Sequence, residues 1–120
     1  MKILIVDDNA RVRWLIKTMI QDLATEFYEC DDGIKALEAY SALQPDWVLM
    51  DIKMEQMDGI DATKRIKTVF AQAKIIIVTD YNDASLRDAA LMAGAYGYVI
   101  KEDLHLLRNI LQSRSTSHET

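Results

Sequence analysis

The chain has 120 residues, half of them apolar, a formal net charge of -5 and one cysteine, Cys30. That length makes one domain with room for a packed core, and the acidic balance excludes the basic face that a nucleic-acid partner requires. A lone cysteine excludes an intrachain disulfide and a zinc cluster, so a cytoplasmic setting fits best.

The first apolar run, KILIV, is short and β-branched and ends at Asp7 and Asp8. Such runs between helical segments read as strands buried on both faces of a parallel sheet. Val12, Leu15, Ile16, Met19, Ile20 and Leu23 then follow i, i+3, i+4, i+7 spacing, which predicts helix one. A weaker strand at 26–30 leads through Asp31-Asp32-Gly33 into a second helix with Ile34 and Leu37, which ends before Pro45. Residues 46–50 form the central strand, closed by Asp51. Asp58 and Gly59 open helix three, which carries Ile60, Ile66, Val69 and Phe70. A strand at 74–78 is closed by Thr79, and the next helix starts near Asn82 or Asp83, either an apt N-cap, and closes at Gly94. The last strand runs to Ile100 and is closed by Lys101; a final helix carries Leu104, Leu107, Ile110 and Leu111. In SRSTSHET the apolar period is lost, so the domain is expected over 1–113, with 114–120 a polar tail or the start of a linker. The uncharged stretch 89–100 is broken by Gly94 and Gly97, and the run at 3–6 is too short for a signal segment, so no membrane association is expected.

Five strands alternating with five helices predict an α/β fold: a parallel sheet with right-handed crossovers and helices on both faces. The order 2-1-3-4-5 is the commoner one at this length and sets the ends of strands one and three side by side. Ligands of such sheets bind outside the strand C-termini, where the order reverses. Asp7, Asp8, Asp51, Thr79 and Lys101 all fall at that edge.

Three carboxylates at one buried edge repel one another and raise one another's pKa unless a cation is present. Mg²⁺ is the natural candidate, since it binds through one or two carboxylates with water and phosphate oxygens. Asp and Asn are also the leading N-cap residues, but capping accounts for one acid of the Asp7-Asp8-Asn9 run and not for Asp51 as well. A carboxylate beside a metal can attack phosphorus to give an acyl phosphate, which makes Asp51 the candidate nucleophile. Thr79 can donate its hydroxyl to a phosphoryl oxygen and Lys101 can neutralise another. Taken singly, a strand threonine and a surface lysine are ordinary structural residues; their shared edge singles them out.

Asp7-Asp8, DIKMEQMDG around Asp51, Thr79, and GAYGYVIK ending at Lys101 resemble the receiver domain of two-component response regulators, from Lys2 to about Ser113. The resemblance implies a flavodoxin-like, doubly wound three-layer sandwich and a phosphoacceptor signalling domain that catalyses only its own phosphotransfer and dephosphorylation. It implies that Asp51 takes a phosphoryl group from a sensor histidine kinase or a phosphotransfer protein. Asp8 and Asp51 are then direct Mg²⁺ ligands, the Lys53 backbone carbonyl a third, and Asp7 acts mostly through water. Thr79 and Tyr98 form a switch that repacks the face of helix four, strand five and helix five. A homodimer is expected through that face or through helices one and five.

The chain departs from the family where prolines are common, at Glu55 and Glu102. A non-proline cis bond costs about 2.5–4 kcal/mol, so the Lys101–Glu102 peptide is expected to be trans. Asp80 stands where a small residue is usual and is expected to face solvent. Bulky Tyr81, with Lys53, is expected to slow attack of water on the acyl phosphate. A dehalogenase-type phosphatase has a second acid where this chain has Lys53, which leaves no general acid for an external substrate. A flavin carrier needs a phosphate loop where Asp7-Asp8-Asn9 repel phosphate. A receiver-like interaction module that is never phosphorylated is the alternative.

Overall fold

Successive residues of a strand point to opposite faces of its sheet, and here both faces are covered, so the central strands are apolar throughout. Leu4, Val6, Val48, Met50, Ile75 and Ile77 face one core with Ala36, Tyr40, Ala62, Ile66 and Ala90. Ile3, Ile5, Trp47, Leu49, Ile76, Val78 and Val99 face the other with Ile16, Ile20, Leu107 and Leu111. The computed structural model describes residues 1–54 and 56–117, the last five through their main chain alone. Its strands are β1 (Lys2–Val6), β2 (Glu26–Cys30), β3 (Trp47–Met50), β4 (Ile75–Thr79) and β5 (Gly97–Ile100). Its helices are α1 (Ala10–Ile20), α2 (Gly33–Leu43), α3 (Gly59–Val69), α4 (Ala84–Met92) and α5 (His105–Ser117), with a 3-10 turn at Lys101–Asp103.

The sheet is wholly parallel, as the alternating pattern predicts, and its order is β2-β1-β3-β4-β5, the one expected as commoner at this length. Helices α2, α3 and α4 contribute to the first core, α1 and α5 to the second. Thr79 is the last residue of β4 and not the residue after it. The Lys101–Glu102 peptide is trans. The main chain of α5 stays helical through Ser117, so helix covers residues 113–117 of the polar segment; 118–120 and Glu55 lie outside the described residues. No described helix is long and apolar enough to cross a membrane.

The entrances of α1 to α4 at the C-terminal edge of the sheet each have a short polar cap. Asn9, Asp32, Asp58 and Asp83 accept main-chain N–H groups of α1, α2, α3 and α4 respectively. These caps satisfy otherwise orphaned donors and set where each helix leaves the edge. At the opposite edge, Gly94 has a φ of 104°, open to glycine without strain, and this ends α4.

The loop after β3 is pinned by a close approach of main chain to main chain. The Gly59 N–H donates to the Ile52 carbonyl at 2.8 Å, and a Cβ on Gly59 would lie 1.8 Å from the Asp51 carbonyl oxygen. The glycine is needed because nothing larger fits behind Asp51. Glycine to alanine in a helix normally gains about 0.5–1 kcal/mol, but Gly59→Ala is expected to cost about 1–3 kcal/mol because β3 or α3 must move. Urea denaturation measures the difference, and a stabilised variant would contradict the packing.

Candidate functional site

β1 and β3 are neighbours, and their register carries the two acid-bearing ends forward together. Val6 pairs with Met50, and the Asp51 N–H donates to the Val6 carbonyl at 2.8 Å. On the other side, the Asp7 N–H donates to the Cys30 carbonyl at 3.1 Å. Asp7 and Asp51 are buried and Asp8 is exposed, and each offers an oxygen within 4.8 Å of the others'. Asn9 is the N-cap of α1 and accepts from Arg11 and Val12. The neighbouring aspartates are thus free of the capping duty that would explain them otherwise. Asp7 Oδ1 accepts the Asn9 N–H at 2.9 Å, which orients its second oxygen toward the site.

That second oxygen meets Lys101. Lys101 Nζ lies 2.9 Å from Asp7 Oδ2, 3.3 Å from Asp51 Oδ1 and 4.0 Å from Asp80 Oδ2. From the end of β5, the long side chain reaches past β4 to the ends of β3 and β1. Burial disfavours its charge, but the hydrogen bond to Asp7 and the charge of Asp51 outweigh that and hold its pKa above the ordinary lysine value. Asp51 is pushed the unusual way, up to about 6, by burial first and the Asp7 charge second, with Lys101 opposing both. Thr79 is fully buried at the end of β4, the strand that Lys101 crosses, and its Oγ1 accepts the Tyr81 N–H at 3.3 Å.

Four sequence-identified residues, Asp7, Asp8, Asp51 and Lys101, therefore form one cluster, and Thr79 stands at the same edge. Lys53 lies on the loop two residues beyond Asp51, with its ammonium 5.6 Å from the Tyr81 ring centroid. Tyr98 reaches the loop after β4, where its hydroxyl donates to the Tyr81 carbonyl at 2.6 Å. The Asp80 side chain is 74% exposed, so it lies outward as expected. A cleft of about 440 Å³ lined by Asp8, Asp31, Asp32, Lys35 and Gln56 opens beside the acid cluster.

Two supporting residues escape sequence reading. Arg13 Nη1 donates to the Asp7 carbonyl at 2.6 Å while its Nε donates to Glu29 at 2.8 Å, which ties α1 and β2 to the end of β1. Nothing local marks that contact, because Glu29 is a strand away. Gly59 is visible in the Asp58-Gly59 pair, but only as the opening of a helix.

Chemically the cluster is an anionic site balanced by one ammonium. Donors of this kind, three carboxylates with converging oxygens, fit a hard divalent cation. Without one, the ionised form of Asp51 is disfavoured in the folded protein. Its folded pKa is raised from 3.8 to about 6, so the native state holds the extra proton and loses stability as pH rises across that window. Asp51→Asn is expected to raise the unfolding free energy at neutral pH by on the order of 2 kcal/mol in metal-free protein. The gain should vanish near pH 3, below the ordinary value of 3.8, where Asp51 is largely protonated in both states. Urea denaturation at the two pH values checks this, and an unchanged or weakened variant at neutral pH would overturn it.

Comparison with known proteins places this geometry in a family. The model of the response regulator receiver domain matches residues 3–112. The chain is 42% identical to the chemotaxis protein CheY of Bacillus subtilis over 101 residues, which are 83% of this chain and 84% of that protein. It is 38% identical over 112 residues to the regulatory protein AtoC of Escherichia coli, covering 92% of this chain but only 24% of AtoC. Among solved structures, a two-component response regulator of the LuxR family from Aurantimonas superposes with a TM-score of 0.84 at 32% identity, covering 92% of this chain and 84% of that one. The BeF3-activated N-terminal receiver domain of RstA from Klebsiella pneumoniae superposes with a TM-score of 0.83 at 26% identity, covering 93% and 99%. With its acids at the ends of β1 and β3 and its lysine after β5, the chain belongs to the response regulator receiver domain family of two-component signalling.

Proposed function

We propose that Asp51 accepts a phosphoryl group from a phosphohistidine of a sensor histidine kinase or a phosphotransfer protein, in a Mg²⁺-dependent step. The observation that carries this reading is the placement of a buried carboxylate beside two further acids and 3.3 Å from the Lys101 ammonium. In the step, an Asp51 oxygen bonds to phosphorus as the phosphorus–nitrogen bond to the donor imidazole breaks. Asp8, Asp51 and the Lys53 backbone carbonyl would hold the metal, with Asp7 supporting it through water. Bound there, Mg²⁺ supplies neutralisation of charge on the transferred group.

The chain's own groups do the rest. Lys101, already between Asp7 and Asp51, follows the new negative charge onto a phosphoryl oxygen, and the Thr79 hydroxyl donates to another. Thr79 is linked through Tyr81 to Tyr98, so movement of the hydroxyl passes to β5 and the face beside α4 and α5. The output is a changed surface and not a released product. Exposed Trp14 and Leu15 on α1 and Leu91 and Met92 on α4 lie on elements of the two faces read as homodimer surfaces. We assign the domain to 1–113 in the cytoplasm, with 114–120 as tail or linker.

Intact mass after incubation with Mg²⁺ and acetyl phosphate tests the reading. The parent should gain one phosphoryl group, Asp51→Asn none, and removal of Mg²⁺ by a chelator should abolish the gain. A folded parent that binds Mg²⁺ but gains nothing would make the domain an interaction module that works unphosphorylated. The Lys53–Tyr81 contact joins the loops after β3 and β4 across the site and hinders water. Tyr81→Ala is accordingly expected to shorten the life of the Asp51 phosphoryl group several-fold, and loss within seconds in the parent would contradict the shielding.

A further inference from the structure

Tyr81 is where three contacts meet. Its N–H donates to Thr79 Oγ1 at 3.3 Å, its carbonyl accepts from the Tyr98 hydroxyl at 2.6 Å, and its ring faces the Lys53 ammonium at 5.6 Å. Thr79 ends β4 at the sheet edge that carries Asp51 and Lys53 lies two residues beyond Asp51, whereas Tyr98 stands on β5 with its ring only half-buried against the core. A hydroxyl stays aimed at a carbonyl only as well as its ring is held, since a hydrogen bond weakens steeply with angle. What holds this ring from outside is Arg87, whose guanidinium carbon is 5.1 Å from the ring centroid. That distance is within cation–π range, and a planar guanidinium can lie along an aromatic face where an ammonium cannot. Arg87 is placed by α4: its N–H donates to the carbonyl of the N-cap Asp83 at 3.0 Å.

We infer that Arg87 is a positioning residue: stacked on Tyr98, it keeps the hydroxyl on the Tyr81 carbonyl and so holds the Tyr81 ring beside Lys53 across the phosphotransfer site. Its consequence for phosphoryl lifetime rests on the proposed acceptor role of Asp51; the side-chain coupling itself does not. Helix α4 thereby sets how well the acyl phosphate is screened from water, through a residue that touches neither the metal ligands nor the phosphoryl group.

Two measurements on the full chain test this. Arg87 is exposed, so its replacement leaves the core intact. In protein with carbon-13-labelled tyrosine rings, Arg87→Ala should shift the Tyr98 and Tyr81 ring resonances, and Arg87→Lys, which keeps the charge but not the plane, should shift them less. After phosphorylation with acetyl phosphate and Mg²⁺, Arg87→Ala should shorten the phosphoryl lifetime by roughly three- to tenfold, and should add nothing further in a Tyr98→Phe background. Unchanged Tyr81 resonances in Arg87→Ala overturn the inference, as does an Arg87→Ala loss that persists in full in the Tyr98→Phe background. A parent that takes no phosphoryl group sinks the Asp51 reading instead, and the resonances still decide the coupling.

Discussion

Everything at the functional edge depends on one buried charge balance, the Lys101 ammonium held between Asp7 and Asp51 at 2.9 and 3.3 Å. Carboxylates on adjacent strand ends cost several kcal/mol of desolvation and repel each other, and one ammonium only partly offsets that, which is why Asp51 is pushed up to about 6. An arrangement so unfavourable in isolation is what a cation-binding, phosphoryl-accepting site requires, because it becomes favourable only when positive charge arrives. Stability is given up at this edge and recovered in the two apolar layers beneath it.

Those layers act as a ruler. Parallel pairing of β1 with β3 brings Asp7 beside Asp51, and the caps Asn9, Asp32, Asp58 and Asp83 turn each chain segment away from the edge. The strand ends therefore carry the acids and the lysine, while the loops after β3 and β4 carry Lys53 and Tyr81. Lys53, Tyr81 and Tyr98 form a linked set whose contacts are a ring, a carbonyl and a hydroxyl, weak enough individually to be rearranged by a phosphoryl group of nearly two negative charges. A packed core could not respond to that change so locally.

The supporting contacts share a feature: they are long-range and electrostatic or steric. Arg13 binds the Asp7 carbonyl and Glu29 together, and Gly59 lies where any side chain would strike the Asp51 carbonyl. Neither adds a carboxylate or an ammonium to the cluster, yet both hold the main chain that carries its carboxylates. This is how positions one layer out from a site come to matter for chemistry without touching it.

By itself the sequence determined the alternation of strands and helices, the parallel sheet and the strand-end positions of Asp7, Asp8, Asp51, Thr79 and Lys101. Hydrophobic period, turn residues and capping residues are local properties, and the resemblance to receivers added the strand order and the roles. Boundaries moved by a residue where local signals end, as at Thr79, which the sheet includes because its main chain pairs with Ile100. Only the tertiary structure decided that Asn9 and not an aspartate caps α1, that Lys101 bridges Asp7 and Asp51, and that Asp80 lies outward. It alone brought Arg13 to Glu29 and Arg87 to Tyr98, because a side chain's partner across the fold is chosen by the packing of whole elements, and no spacing along the chain encodes it.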